Sequence, residues 1–206
     1  MAEQETDPPG RAVLVIAHPG HELRLFGWME RARPCICVLT DGPALDNTLD
    51  VLERAGARVG AIFGRLSDAR LRQCGPGDEI LGGLANELAE WLIAERVVWV
   101  AGDAAEGYDP AHDTCRRLID TALARVEAAV GLAPLSLDFA LTGPPDACPG
   151  PRSRLLHLAD DSFARKQAAA LRHPGLAAEA GGVFGVECLR PAPRFRERVG
   201  GVRKAA

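Results

Sequence analysis

Short apolar runs recur along this chain, and amphipathic stretches at helical spacing separate most of them. That alternation restricts the fold more than any single residue does. The first run, residues 12–17, is apolar without interruption, as expected of a strand buried on both faces. Runs at 35–40, 59–64 and 97–101 resemble it, and further strands are expected at 135–141, 155–158 and 183–189, where polar residues interrupt the apolar ones. Helices are expected at 21–32, 48–55, 79–95, 111–130 and 160–171. Residues 65–77 read as irregular, with Gly75-Pro76-Gly77 breaking the chain, and 143–152 as a loop rich in Pro and Gly. The order predicts an α/β fold with a mostly parallel sheet and helices on both faces. In such folds ligands bind beyond the carboxyl ends of the strands.

Composition narrows the function classes. A chain of 206 residues suits one compact domain, here 11–206, after a polar, acidic stretch at 1–10 that reads as a flexible tail. That stretch lacks the basic start and apolar core of a signal peptide, and no apolar run is long enough to span a bilayer. The expectation is a cytoplasmic protein with no membrane partner. A net charge of −4 and a pI near 5.8 argue against a nucleic-acid partner. The six cysteines contain no Cys-x-x-Cys pair and read as buried thiols.

The residues that carry chemistry cluster at strand ends. The first run stops at His18-Pro19-Gly20-His21, a turn that aims two imidazoles three residues apart. Neutral imidazole is a common zinc ligand, although two histidines near a helix start are also ordinary hydrogen-bonding residues. Asp41 follows the second strand in Thr40-Asp41-Gly42. Asp103, Asp109 and His112 follow the strand at 97–101, within or beside Gly107-Tyr108-Asp109-Pro110-Ala111-His112-Asp113. His112 is the candidate third ligand. Asp109 and Asp41 have plainer roles open to them, as the cap of a helix and of a turn.

These motifs resemble those of the PIG-L/LmbE-like de-N-acetylases, zinc hydrolases with a Rossmann-like sheet. In that family the first strand usually ends in Ala-His-Pro-Asp-Asp-Glu; here the positions are Ala17-His18-Pro19-Gly20-His21-Glu22. A later His-Pro-Asp-His opens a helix; here it reads Asp109-Pro110-Ala111-His112. Thr40-Asp41-Gly42 and the segment around Lys166 are similar to further family segments, so the resemblance spans nearly the whole chain.

The resemblance implies a zinc ion (Zn2+) held by His18, His21 and His112, with an open fourth position for water. His21 stands where the family has a ligating Asp. The family's general base falls at Gly20, which cannot move a proton, so Asp109 or Asp41 would have to take that role. Glu22 is retained and is expected to support the turn. The implied activity is removal of an N-acetyl group from an amino sugar or related small metabolite. The alternatives are a metal- or ligand-binding module without turnover, or a zinc hydrolase for another amide or ester.

Overall fold

The computed structural model describes residues 11–147 and 154–193 of the chain; the expected tail at 1–10, the end of the 143–152 loop and the residues from 194 onward lie outside them. Strands β1 (Arg11–Ile16), β2 (Cys35–Thr40), β3 (Arg58–Leu66), β4 (Val97–Asp103), β5 (Leu135–Phe139), β6 (Arg154–His157) and β7 (Val186–Pro191) form one sheet. Its order is β3-β2-β1-β4-β5-β7-β6. The first five strands pair in parallel, and β7 runs antiparallel between β5 and β6. The protein is therefore α/β, with the mostly parallel sheet that the alternation of runs predicts.

Alternation along β1 shows why the run has no polar face. Val13 and Val15, with Ala17 just beyond, point into one apolar layer; Ala12, Leu14 and Ile16 point into the other. The first layer is closed by α3 (Asp68–Gln73), α4 (Glu79–Ala94) and α5 (Pro110–Val130). The second is closed by α1 (Phe26–Ala32), α2 (Ala44–Ala55), α6 (Asp160–Arg172) and α7 (Pro174–Glu179). Trp28 and Trp99 meet edge to face in the second layer, 5.3 Å between ring centroids. Cys37, Cys74 and Cys115 are buried, as expected of structural thiols, and burial pushes the Cys37 thiol up to about 11.

Three segments differ from the sequence expectation. Residues 21–25 form a 3-10 turn and the α-helix begins only at Phe26. The reason lies far along the chain. The Glu187 carboxylate, from β7, accepts the N–H groups of Gly27 and Trp28 at 2.8 Å each, so it caps α1 from another strand. Residues 65–77 are not irregular throughout. Strand β3 runs to Leu66, and Ser67 caps α3 by accepting the Arg70 N–H. Finally, the stretch between residues 171 and 183, to which the sequence assigns no element, contains α7; Pro174 opens it, and Pro is well placed at a first helical position. Leu176 and Ala180 anchor that helix in the second layer.

Glu187 also receives the Lys166 ammonium at 2.8 Å, with both side chains buried. This pair ties α6 to β7 and, through the helix amides, to α1. Removing one partner strands the other charge in the core. Lys166→Met and Glu187→Gln are each expected to cost about 3–5 kcal/mol, read from denaturant midpoints. Combining the two changes should cost less than their sum.

Candidate metal centre

The chain runs β1, β2, β3 in one direction, then crosses back to place β4 on the other side of β1. The carboxyl ends of β1 and β4 therefore flank the point where strand order reverses, the usual ligand position in such sheets. His18 and His21 leave β1 there, Asp103 ends β4, and His112 lies in the first turn of α5. The three imidazoles meet. Ring centroids are 5.3 Å apart for His18–His21 and for His18–His112, and 4.8 Å for His21–His112. All three are buried, with His21 fully so.

Two of the rings, His21 and His18, are held from their outer side. Asp103 accepts the His21 Nδ1–H at 3.0 Å and the Ala17 backbone N–H at 2.8 Å. Thr40 donates its hydroxyl proton to the Ala17 carbonyl at 2.9 Å, so its oxygen can accept the Nδ1–H of His18 at 3.3 Å. Asp68 of α3 stands 3.5 Å from the same His18 nitrogen. These contacts leave the Nε2 atoms of His18 and His21 facing inward. Both atoms are buried without a hydrogen-bond partner, as are both ring nitrogens of His112. Four orphaned nitrogens in one place are costly unless a ligand answers them. An imidazole with a carboxylate behind its far nitrogen is also the usual support of a metal ligand.

The electrostatics divide the cluster. Burial, with the neighbouring imidazoles, holds His18 and His112 below the ordinary histidine value, so both stay in the neutral, ligating form. Burial acts against charge on His21 too, but Asp103 and then Glu179 outweigh it and raise His21 to about 9. Asp103 is held below its ordinary value: burial acts against its charge, and His21 overcomes that.

The remaining sequence candidates are placed differently. Asp109 caps α5, its Oδ1 accepting the Ala111 N–H at 2.8 Å and an Arg72 N–H at 2.5 Å. Its Oδ2 lies 3.8 Å from Nε2 of His112. Burial works against its charge, but the Ala111 amide and Arg72 keep its carboxyl below the ordinary range. Asp41 is exposed at the end of β2, and among the described residues no hydrogen bond or ion pair joins it to the three histidines. Glu22 is buried and accepts the Gly20 N–H at 2.7 Å and the Thr48 hydroxyl at 2.9 Å, so it supports the turn.

Sequence reasoning placed Asp103 on the rim without a role and missed Asp68 and Glu179. The last two come from α3 and α7, helices the sequence did not reveal. The Ser67-Asp68 pair is a cap signal that could have shown α3; nothing comparable marks Glu179. His18, His112 and the half-exposed Glu179 each present a donor atom within 4.8 Å of the other two, a spacing that suits one metal ion.

No family model and no curated protein matches the sequence. Solved structures do share the fold. The conserved protein TT1542 from Thermus thermophilus aligns at a TM-score of 0.60 with 19% identity, over 91% of this chain and 96% of its own. The A40926 pseudoaglycone deacetylase Dbv21 aligns at 0.59 with 12% identity, over 90% of this chain and 98% of its own. The zinc-inhibited form of the teicoplanin deacetylase Orf2 aligns at 0.56 with 12% identity, over 79% and 83%. Among the described residues no helix is long and apolar enough to cross a membrane.

The His21–Asp103 pair makes metal-free stability depend on pH. A histidine raised in the folded state contributes stability that is full below about 6.5 and is lost as pH rises through about 9. Asp103, held low, contributes stability above its unfolded value that is lost in acid. Chelator-treated protein is expected to lose unfolding free energy between pH 6.5 and about 9, and Asp103→Asn to flatten that slope. Denaturant titrations across the range measure both.

Proposed function

We propose that this protein is a zinc-dependent hydrolase that removes an N-acetyl group from an amino sugar or a related small metabolite. The observation that carries the reading is the cluster of His18, His21 and His112, buried, with inward nitrogens unpartnered, at the strand-order reversal. The fold is shared with solved deacetylases, which supports the reaction class, and one of them is described in a zinc-inhibited form, which supports zinc binding on this fold.

The donor set suits zinc, which prefers imidazole and carboxylate at short range. His18, His21 and His112 would hold it, and when bound it would supply Lewis acidity and lower the pKa of water. The chain's own groups do the rest. Asp103 fixes the ring plane and tautomer of His21, and Thr40 does the same for His18. Asp109, kept ionised beside His112 by Arg72 and the helix amide, is the favoured proton acceptor. Asp41 is the second candidate and would need to reach the substrate from its exposed position. Tyr108 lies edge-on to His112, 5.2 Å between centroids, with half its surface exposed, and would line the mouth.

The test pairs metal analysis with deacetylation of N-acetylglucosamine derivatives. Purified protein is expected to carry about one zinc per chain, and His18→Ala and His112→Ala to lose both metal and turnover. Asp109→Ala should keep the metal and lose about 10²–10⁴-fold in rate, with Asp41→Ala as its matched comparison. Full activity in both aspartate variants would remove them from the reaction. Metal without turnover on any N-acetyl substrate would favour a binding module, a reading that Gly20, with no side chain to move a proton, also supports.

A further inference from the structure

Gly20 and Glu179 meet from distant parts of the chain. Gly20 has φ +109°, a region that side-chain-bearing residues rarely adopt. A Cβ there would stand 2.8 Å from the Leu176 carbonyl oxygen and 2.9 Å from the Glu179 Cβ. No side chain fits, because α7 already packs on the bare backbone of the turn. The last residue of α7 turns its carboxylate toward the histidines.

Its position is that of a ligand. Oε1 of Glu179 lies 3.7 Å from Nε2 of His21, longer than a hydrogen bond. Two ligands of a tetrahedral zinc stand about 3.4 Å apart, so this separation is close to that of two donors on one ion. Its carboxylate is also within 4.8 Å of donor atoms on His18 and His112. The neighbouring acids are committed elsewhere: Asp103 to His21 Nδ1 and Ala17, Asp109 to Arg72 and Ala111, Asp68 to Arg72. The imidazole nitrogens that face Glu179 are buried and unanswered.

We infer that Glu179 is the fourth donor of the metal centre, delivered by α7 through the gap that Gly20 leaves. The inference rests on the metal-hydrolase reading above and extends its ligand set. Three imidazoles bring no charge, so one carboxylate reduces a +2 ion to a net +1. Unlike the histidines, Glu179 is half exposed. One side of the Glu179 carboxylate therefore faces solvent, and a substrate that enters from there would meet it.

Zinc affinity, measured by competition with a chromophoric chelator, tests this without reference to turnover. Glu179→Ala removes an exposed side chain at a helix end and should fold normally. It is expected to weaken zinc binding at least tenfold. Gly20→Ala should displace α7 and weaken binding by a similar factor, and should add no further loss in the Glu179→Ala background. Wild-type affinity in Glu179→Ala, alongside lost binding in His18→Ala, would overturn the inference and leave the metal reading standing. No zinc binding by the wild-type chain would overturn both. A Gly20→Ala loss that persists undiminished in the Glu179→Ala background would overturn the delivery by α7.

Discussion

The Asp103 carboxylate is the contact on which the centre depends. It ends β4, accepts the first free amide beyond β1, and takes the Nδ1 proton of His21. One group thus finishes the seam between the two central strands and orients an imidazole. Burying a carboxylate is expensive unless its lone pairs are answered. Here a backbone N–H and a ring N–H answer them, and the ring's tendency to charge offsets the rest. The same negative charge reaches His18 and His112, where burial and the neighbouring rings overcome it.

The site is assembled by short elements that could not hold their places alone. Isolated helices of six residues are unstable in water. Helix α3 is secured by the Ser67 cap and by Leu71 in the first apolar layer. Arg72 then joins Asp68 of its own helix to Asp109 at the head of α5, so the helix start that carries His112 is tied to the α3 start beside His18. Helix α7 is secured by Leu176 and Ala180 in the second layer and by its seat on Gly20. Even α1 takes its starting point from a distant residue, through Glu187. The antiparallel return of β7 beside β5 brings that carboxylate to the helix.

A ring of acids around the three imidazoles, of which His18 and His112 are held neutral, follows from this assembly. Asp68, Asp103, Asp109 and Glu179 all stand within 3.8 Å of a histidine ring nitrogen. Such an arrangement concentrates negative potential at the reversal point of the sheet and favours a cation there. Meanwhile Asp103 and Thr40 keep the rings themselves from turning.

Much of this was legible in the chain. Alternating apolar runs and amphipathic stretches determined the α/β sheet, because strands buried on both faces leave no polar alternation and each needs a helix to cover it. The ends of the first and fourth runs located His18, His21 and His112 on one rim, since parallel strands deliver their following loops to the same edge. The sequence left Asp109 two roles, helix cap and proton acceptor, and the structure shows the cap. What only the tertiary structure decided was the partner of each ring. Asp103 became the support of His21 because β4 lies beside β1, so that a residue 86 positions along the chain from Ala17 closes the seam. Glu179 reached the cluster because a glycine left room for a helix too short to show a period, and packing across the molecule carries no local signal.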